Sequence, residues 1–326
     1  MLYRKRHLDN RKDTRQERKR MDSNTKLTDY IGEWLTTFKL NSVKPATYDR
    51  LLTSLNALDR YGIKDMPISK ITPFDLQDYV NELKDDFSSM STVKKQIRIV
   101  TSPLRHAASL RLIPSDPTVG LKLPSSSCFE EKDVQAYTKE EQEKLSAVAK
   151  TYRYPGWAAV LLMIETGMRV GEALALRWRD VQIFNKRLYV NATVIRLANK
   201  NASRIQDSPK SKSSRRVIPL TNLAIKILEH QKMVSPGNFV FSDQNGNNLS
   251  YEALRYQVQK LASEAGVSYM GMHVFRHTFA TNCYYKGVDV KILSRLLGHS
   301  NPSVTLNVYI HLYGDGFEEM YNAITS

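Results

Sequence analysis

Five short stretches hold side chains that could do chemistry together, in the order arginine, lysine, histidine with arginine, histidine, tyrosine. "ETGMRVGEAL" sets Arg169 just after a Thr-Gly turn, at the start of a helical stretch, where a guanidinium can aim at an anion. "SPKSKSSRRVIPL" gathers Lys210, Lys212, Arg215 and Arg216 on a loop between strand-like runs. A lysine there could reach an anionic ester or its leaving group. "HVFRHTFAT" spaces His273 and Arg276 at i, i+3, so a fixed charge and a proton-capable donor share one helix face. "LLGHS" ends a helix at Gly298 and puts His299 directly after it. "LNVYIHL" holds Tyr309, whose phenol becomes a nucleophile once its proton is taken.

Each stretch also has a plain structural reading. Arg169 has Glu165 at i−4 and Glu172 at i+3, the spacing of surface ion pairs. The basic loop reads equally as a solvated turn. Phe275 and Phe279 could pack inward and leave His273 and Arg276 in water. His299 could be a C-cap favoured by the helix dipole, and Tyr309 one packed ring among 17 tyrosines.

Order and spacing separate the two readings. An arginine behind a TG turn, a lysine hairpin, HxxR, LGH and a tyrosine ten residues on resemble the tyrosine recombinases, the phage and conjugative-transposon integrase family. The flanking words "TGMRVGEALALRW", "RRVIPL" and "LLGHSNPSVTLNVY" match too, and the likeness runs from about residue 26 to 315. The resemblance implies that Arg169 and Arg276 hold a scissile phosphate. His273 and His299 would bond its non-bridging oxygens, with His273 also placed for the nucleophile's proton. Lys210 would protonate the leaving 5′-oxygen, although Lys212 could take that role through a shift of hairpin register. Glu172 would support the first arginine, and Tyr309 would be the nucleophile. His311 has no place in the pattern and reads as structural.

The expected activity is that of a site-specific DNA recombinase of a mobile genetic element. It would cut and rejoin strands through a 3′-phosphotyrosyl intermediate, without ATP, metal or cofactor. A non-catalytic DNA-binding protein descended from a recombinase and a chromosome-dimer resolvase are the alternatives. The partners implied are double-stranded DNA, further copies forming a tetramer on paired sites, and an excisionase or DNA-bending protein. No membrane is implied, and the place expected is the cytoplasm, at the nucleoid.

Composition agrees with a polyanionic partner. The net charge is +15, and residues 138–326 hold +9 of it, against +5 in residues 1–22 and +2 in 26–120. The longest apolar run, 157–164, is far short of a membrane span. The N-terminus has no apolar core of a secretory signal. No GxxxxGK[ST] loop and no HExxH occur. His273 and His277 stand at i, i+4 but lack that motif's glutamate and a third ligand. Cys128 and Cys283 lie far apart in sequence, which suggests neither a disulfide framework nor a zinc knuckle.

The expected fold is mainly α. Residues 1–25 read as a flexible basic arm, too short for a full arm-site-binding domain. Residues 26–120 carry four helical patterns, implied by the resemblance to be a SAM-like core DNA-binding domain. Leu27, Tyr30, Ile31, Trp34, Leu35 and Phe38 mark the first helix, and Pro45 opens the second. Thr72, Pro73 and Asp75 cap the third. The fourth starts near Ser91, and Pro103 should kink or split it. It offers Lys94, Lys95 and Arg98 as DNA contacts, a set that the basic loop extends with Lys212, Arg215 and Arg216. Residues 121–137 form a linker. Residues 138–326 read as a mixed α+β catalytic domain: helices around a small antiparallel sheet from "RLYVNATVIRL" and "RRVIPL".

Overall fold

The computed structural model describes residues 22–129, 135–196, 203–207, 215–299, 301, 303 and 305–306. Lys210, Lys212, Tyr309, His311 and the basic arm up to residue 21 lie outside them. The described chain divides into two compact units, which part between Phe129 and Gln135.

The first unit is built from α1 (Leu27–Trp34), α2 (Pro45–Ala57), α3 (Pro73–Asp86) and α4 (Met90–Ser109). Their apolar stripes meet in one core that includes Leu27, Ile31, Leu76, Leu83, Val93 and Val100. Thr72 begins α3 as the sequence demands: its hydroxyl accepts from the Asp75 amide, and the Asp75 carboxylate accepts from the Thr72 amide at 2.8 Å. Two readings need correction. The first helix changes winding after Trp34 and continues as a π-turn, Leu35–Lys39, which leaves Phe38 exposed. Pro103 does not split α4, which runs through it for 20 residues. Val100, Leu104 and Ala107 are fully buried around the proline, so packing keeps the helix continuous despite the missing amide.

The second unit surrounds α6 (Pro155–Thr166), which follows α5 (Lys139–Ala149). Residues 156–163 are buried without a polar face, as a central helix requires. The Trp157 indole, fully buried, donates to the Gln257 carbonyl at 2.8 Å. The next helix, α7 (Val170–Leu174), is shorter than the pattern "RVGEALALRW" suggested. The sheet region also differs from the expectation. "RLYVNATVIRL" breaks into β2 (Arg187–Val190) and β3 (Thr193–Arg196), which belong to different sheets. β2 lies between β1 (Val181–Gln182) and β5 (Arg216–Pro219), all antiparallel, with Leu188 opposite Ile218. β3 pairs with β4 (Ser203–Gln206), a strand that the sequence pattern missed. Lys210 and Lys212 therefore fall in sequence between β4 and β5, strands of different sheets. Helices α8 (Asn222–Val234), α9 (Tyr251–Glu264), α10 (Val274–Tyr285) and α11 (Val290–Leu297) complete the unit.

Among the described residues, no helix is long and apolar enough to cross a membrane.

Thr138 opens α5 with a capping box to Glu141. Thr138→Ala removes one side of that box and should lower stability by about 1 kcal/mol, read as a lower denaturant midpoint.

Candidate active site

Three helix ends and one strand bring the basic side chains together. Gly167 ends α6 in the left-handed conformation, φ 64°. A side chain there is excluded twice, by that φ and by the Phe279 ring, which a Cβ would strike. Arg169 follows as the residue that caps α7. Gly298 ends α11 in the same left-handed way, φ 66°, and turns the chain into His299.

An α-helix leaves its last carbonyls unpaired. Here they collect three guanidiniums. Arg216, from β5, donates its Nε–H to the Leu296 carbonyl. Arg276, from α10, donates to the Leu297 carbonyl at 2.7 Å and to the Gly167 carbonyl at 3.0 Å. Arg169 donates to the Leu297 and Gly298 carbonyls at 3.4 and 3.3 Å. The negative end of the helix dipole thus attracts all three cations.

One carboxylate holds two of them. Glu172 is 5% exposed and lies 2.9 Å from Arg169 Nη1 and 2.7 Å from Arg216 Nη2. Its second oxygen also accepts from the Arg169 amide. Burial alone would raise the Glu172 pKa, but the bonds and charges of Arg216 and Arg169 outweigh it and leave the carboxyl below its ordinary value. Glu165, the other acidic neighbour in sequence, accepts instead from the Thr221 hydroxyl.

The histidines sit in this positive field. His273 caps α10, and burial first, then Arg276 and Arg169, lower its pKa. His299 is pushed down further, to about 4, by burial and by Arg276, Arg169, Arg216 and His277. Its Nδ1 lies 2.7 Å from the Thr305 hydroxyl. Both rings are therefore neutral near pH 7. Arg276, buried and beside Arg169, is pulled down to about 9 and still carries its charge there.

Arg169, Glu172, His273, Arg276 and His299 are thus assembled, while Lys210 and Tyr309 lie outside the described residues. Arg276 does not face water, as the plain reading of its helix had it; it is 8% exposed. Arg216 must be taken out of the DNA-contact set, because its side chain is 5% exposed and locked to Glu172. Strand alternation carries the signal that was missed: Arg216 shares a face with buried Ile218, whereas Val217 is exposed. Arg215 is exposed, as are Lys94, Lys95 and Arg98 on α4. Thr305 was not identified from sequence. Among the described residues, no group of three or more His, Cys, Asp or Glu could hold a metal ion.

Residues 135–315 match the phage integrase family, and residues 26–84 match the phage integrase N-terminal SAM-like domain. A tyrosine recombinase XerC-like protein of Caldanaerobacter subterraneus subsp. tengcongensis is 30% identical, over 88% of this chain and 79% of that protein. The integrase of Staphylococcus phage L54a is 25% identical, over 86% and 87%. In fold, the chain is similar to the Tn1549 transposon integrase, solved in complex with a circular intermediate DNA. That likeness has a TM-score of 0.76 at 20% identity, covering 91% of this chain and 99% of that one. A lambda integrase tetramer bound to a Holliday junction gives 0.66 at 18%, covering 88% and 78%.

Glu172→Gln leaves two guanidiniums without their counter-charge and should cost about 3 kcal/mol, measured by denaturant unfolding. The wild-type contribution of Glu172 is present above its ordinary pKa of 4.5 and fades as pH falls through its lowered folded value. His299 acts over a higher window. Unfolded, it gains a proton below its ordinary 6.5, while folded it resists until about 4. The DNA-free protein should lose stability as pH falls from 6.5 to 4, and His299→Asn should make that fall shallower.

Proposed function

The chain belongs to the phage integrase family of tyrosine-type site-specific DNA recombinases, and from that premise we propose how its own residues cut and rejoin a DNA strand. The observation that carries the reading is the convergence of Arg169 and Arg276 with neutral His273 and His299 at the carbonyl end of one helix.

A phosphodiester is already anionic, so displacement at phosphorus piles charge onto its oxygens, and fixed cations must meet it. Arg169 and Arg276 grip the scissile phosphate with the N–H groups that their carbonyl contacts leave over. His299 donates an N–H to a non-bridging oxygen. His273, neutral, accepts the proton of the Tyr309 hydroxyl as the phenol oxygen attacks phosphorus. The P–O5′ bond breaks, and Lys210 gives its proton to the leaving 5′-oxygen. Lys212 is the alternative donor on the same loop.

The product is a 3′-phosphotyrosine ester and a free 5′-hydroxyl. A 5′-hydroxyl of a second strand then attacks the ester, and Tyr309 regains its proton. One phosphoester replaces another at each step, so the cycle needs no nucleotide hydrolysis. Glu172 holds Arg169 at its station.

Residues 26–120 serve as the core DNA-binding domain and 138–326 as the catalytic one, joined by the linker 121–137, with 1–25 as a basic arm. Exposed Lys94, Lys95, Arg98 and Arg215 meet phosphates. Four copies assemble on paired sites of a mobile element, with an excisionase or DNA-bending protein as accessory, in the cytoplasm at the nucleoid. The tetrameric lambda integrase on a Holliday junction supports that assembly by likeness of fold.

Tyr309→Phe should abolish strand cleavage while DNA binding persists. Wild type on a nicked duplex should trap a covalent tyrosyl adduct, seen as a shifted band in a denaturing gel; absence of any adduct overturns the proposal. DNA affinity should fall steeply between about 50 and 200 mM salt, as phosphate contacts require. A flat salt response contradicts the phosphate contacts.

A further inference from the structure

Resting on the reading of His299 as a phosphate donor, we propose that Thr305 is a positioning residue. Its hydroxyl holds His299 in the neutral tautomer that carries the proton on Nε2, so that this N–H is the one offered to the phosphate.

Either partner of the 2.7 Å contact between His299 Nδ1 and Thr305 Oγ1 could donate. Burial decides between them. Thr305 is fully buried. Among the described residues, its hydroxyl has His299 as its one hydrogen-bond partner. If Nδ1–H donated, the hydroxyl proton would find no other acceptor among the described residues, in a buried place, which is the costlier arrangement. The hydroxyl therefore donates to Nδ1. A neutral imidazole that accepts at Nδ1 keeps its proton at Nε2.

Neutrality follows from the surroundings. Arg276, Arg169, Arg216 and His277 all act on the ring against a second proton, on top of its burial. An imidazolium would donate from both nitrogens and need no such selection. A neutral ring has one N–H, and in the wrong tautomer it would point a lone pair at the phosphate. The backbone fixes the base of the ring as well: the His299 amide donates to the Ser294 carbonyl at 3.1 Å. The contact spans six residues of chain, between the LGH corner and the proposed nucleophile, and serves to aim one proton.

The test uses full-length protein with nitrogen-labelled histidine, free of DNA and near pH 7.5. His299 is assigned by the signal that His299→Asn removes. The expected spectrum shows His299 with Nε2 protonated and Nδ1 bare. Thr305→Val, which keeps the shape but not the hydroxyl, should shift the ring to a mixture of tautomers. It should slow single-turnover cleavage of a nicked duplex by about tenfold to a hundredfold, less than the loss of a whole oxyanion donor. DNA affinity should hold, and Thr305→Ser should restore both spectrum and rate. Wild-type His299 protonated at Nδ1, or a folded Thr305→Val that cleaves at the wild-type rate, overturns the proposal. The tautomer is read without substrate, so a chain that forms no tyrosyl adduct refutes the phosphate reading and leaves this measurement standing.

Discussion

The carbonyls of Leu296, Leu297 and Gly298, left over where α11 stops, hold the site together. Guanidiniums from the cap of α7, from β5 and from α10 all end on them. Like charges do not gather unaided. The dipole of a helix C-terminus draws cations, three carbonyls supply acceptors at fixed spacing, and Glu172 neutralises part of the excess. One carboxylate among three guanidiniums leaves the place cationic, which is the state a phosphodiester needs to find. Moving α11, through its glycine cap or its packing, would move every arginine at once.

The same crowding sets the protonation of the histidines. Half-buried and beside Arg169 and Arg276, both rings take up a second proton only at a lower pH than they would in water. On the proposed reading they would meet a phosphate as neutral groups, able to donate one hydrogen bond or to accept one proton. A bound phosphate would offset part of the positive field and raise both pKa values. On that reading, substrate binding and protonation would be coupled through the arginines.

Most of the candidate site was legible from residue type and spacing. HxxR puts two groups on one helix face whatever packs behind them. A left-handed turn asks for glycine, which marked Gly167 and Gly298 as corners next to Arg169 and His299. Arg216 was the failure. A basic word beside a lysine loop reads as surface, yet strand parity with Ile218 turns its side chain inward, where a buried carboxylate makes that position tolerable. Pro103 does not split its helix, since the break that a proline favours yields when both flanks are held by a core.

By itself, the sequence determined the order of the chemistry-bearing residues, the helical periodicity of both units, their caps and the positive charge. These depend on residue type and on neighbours within a few positions, where propensity and spacing act directly. Only the tertiary structure decided which carbonyls hold which arginine, that Glu172 serves Arg169 and Arg216 together, and that Thr305 meets His299. Those contacts join residues up to about 130 positions apart in sequence, such as Arg169 and Gly298. Their geometry is set by where the core lets helices end, and no local pattern encodes it.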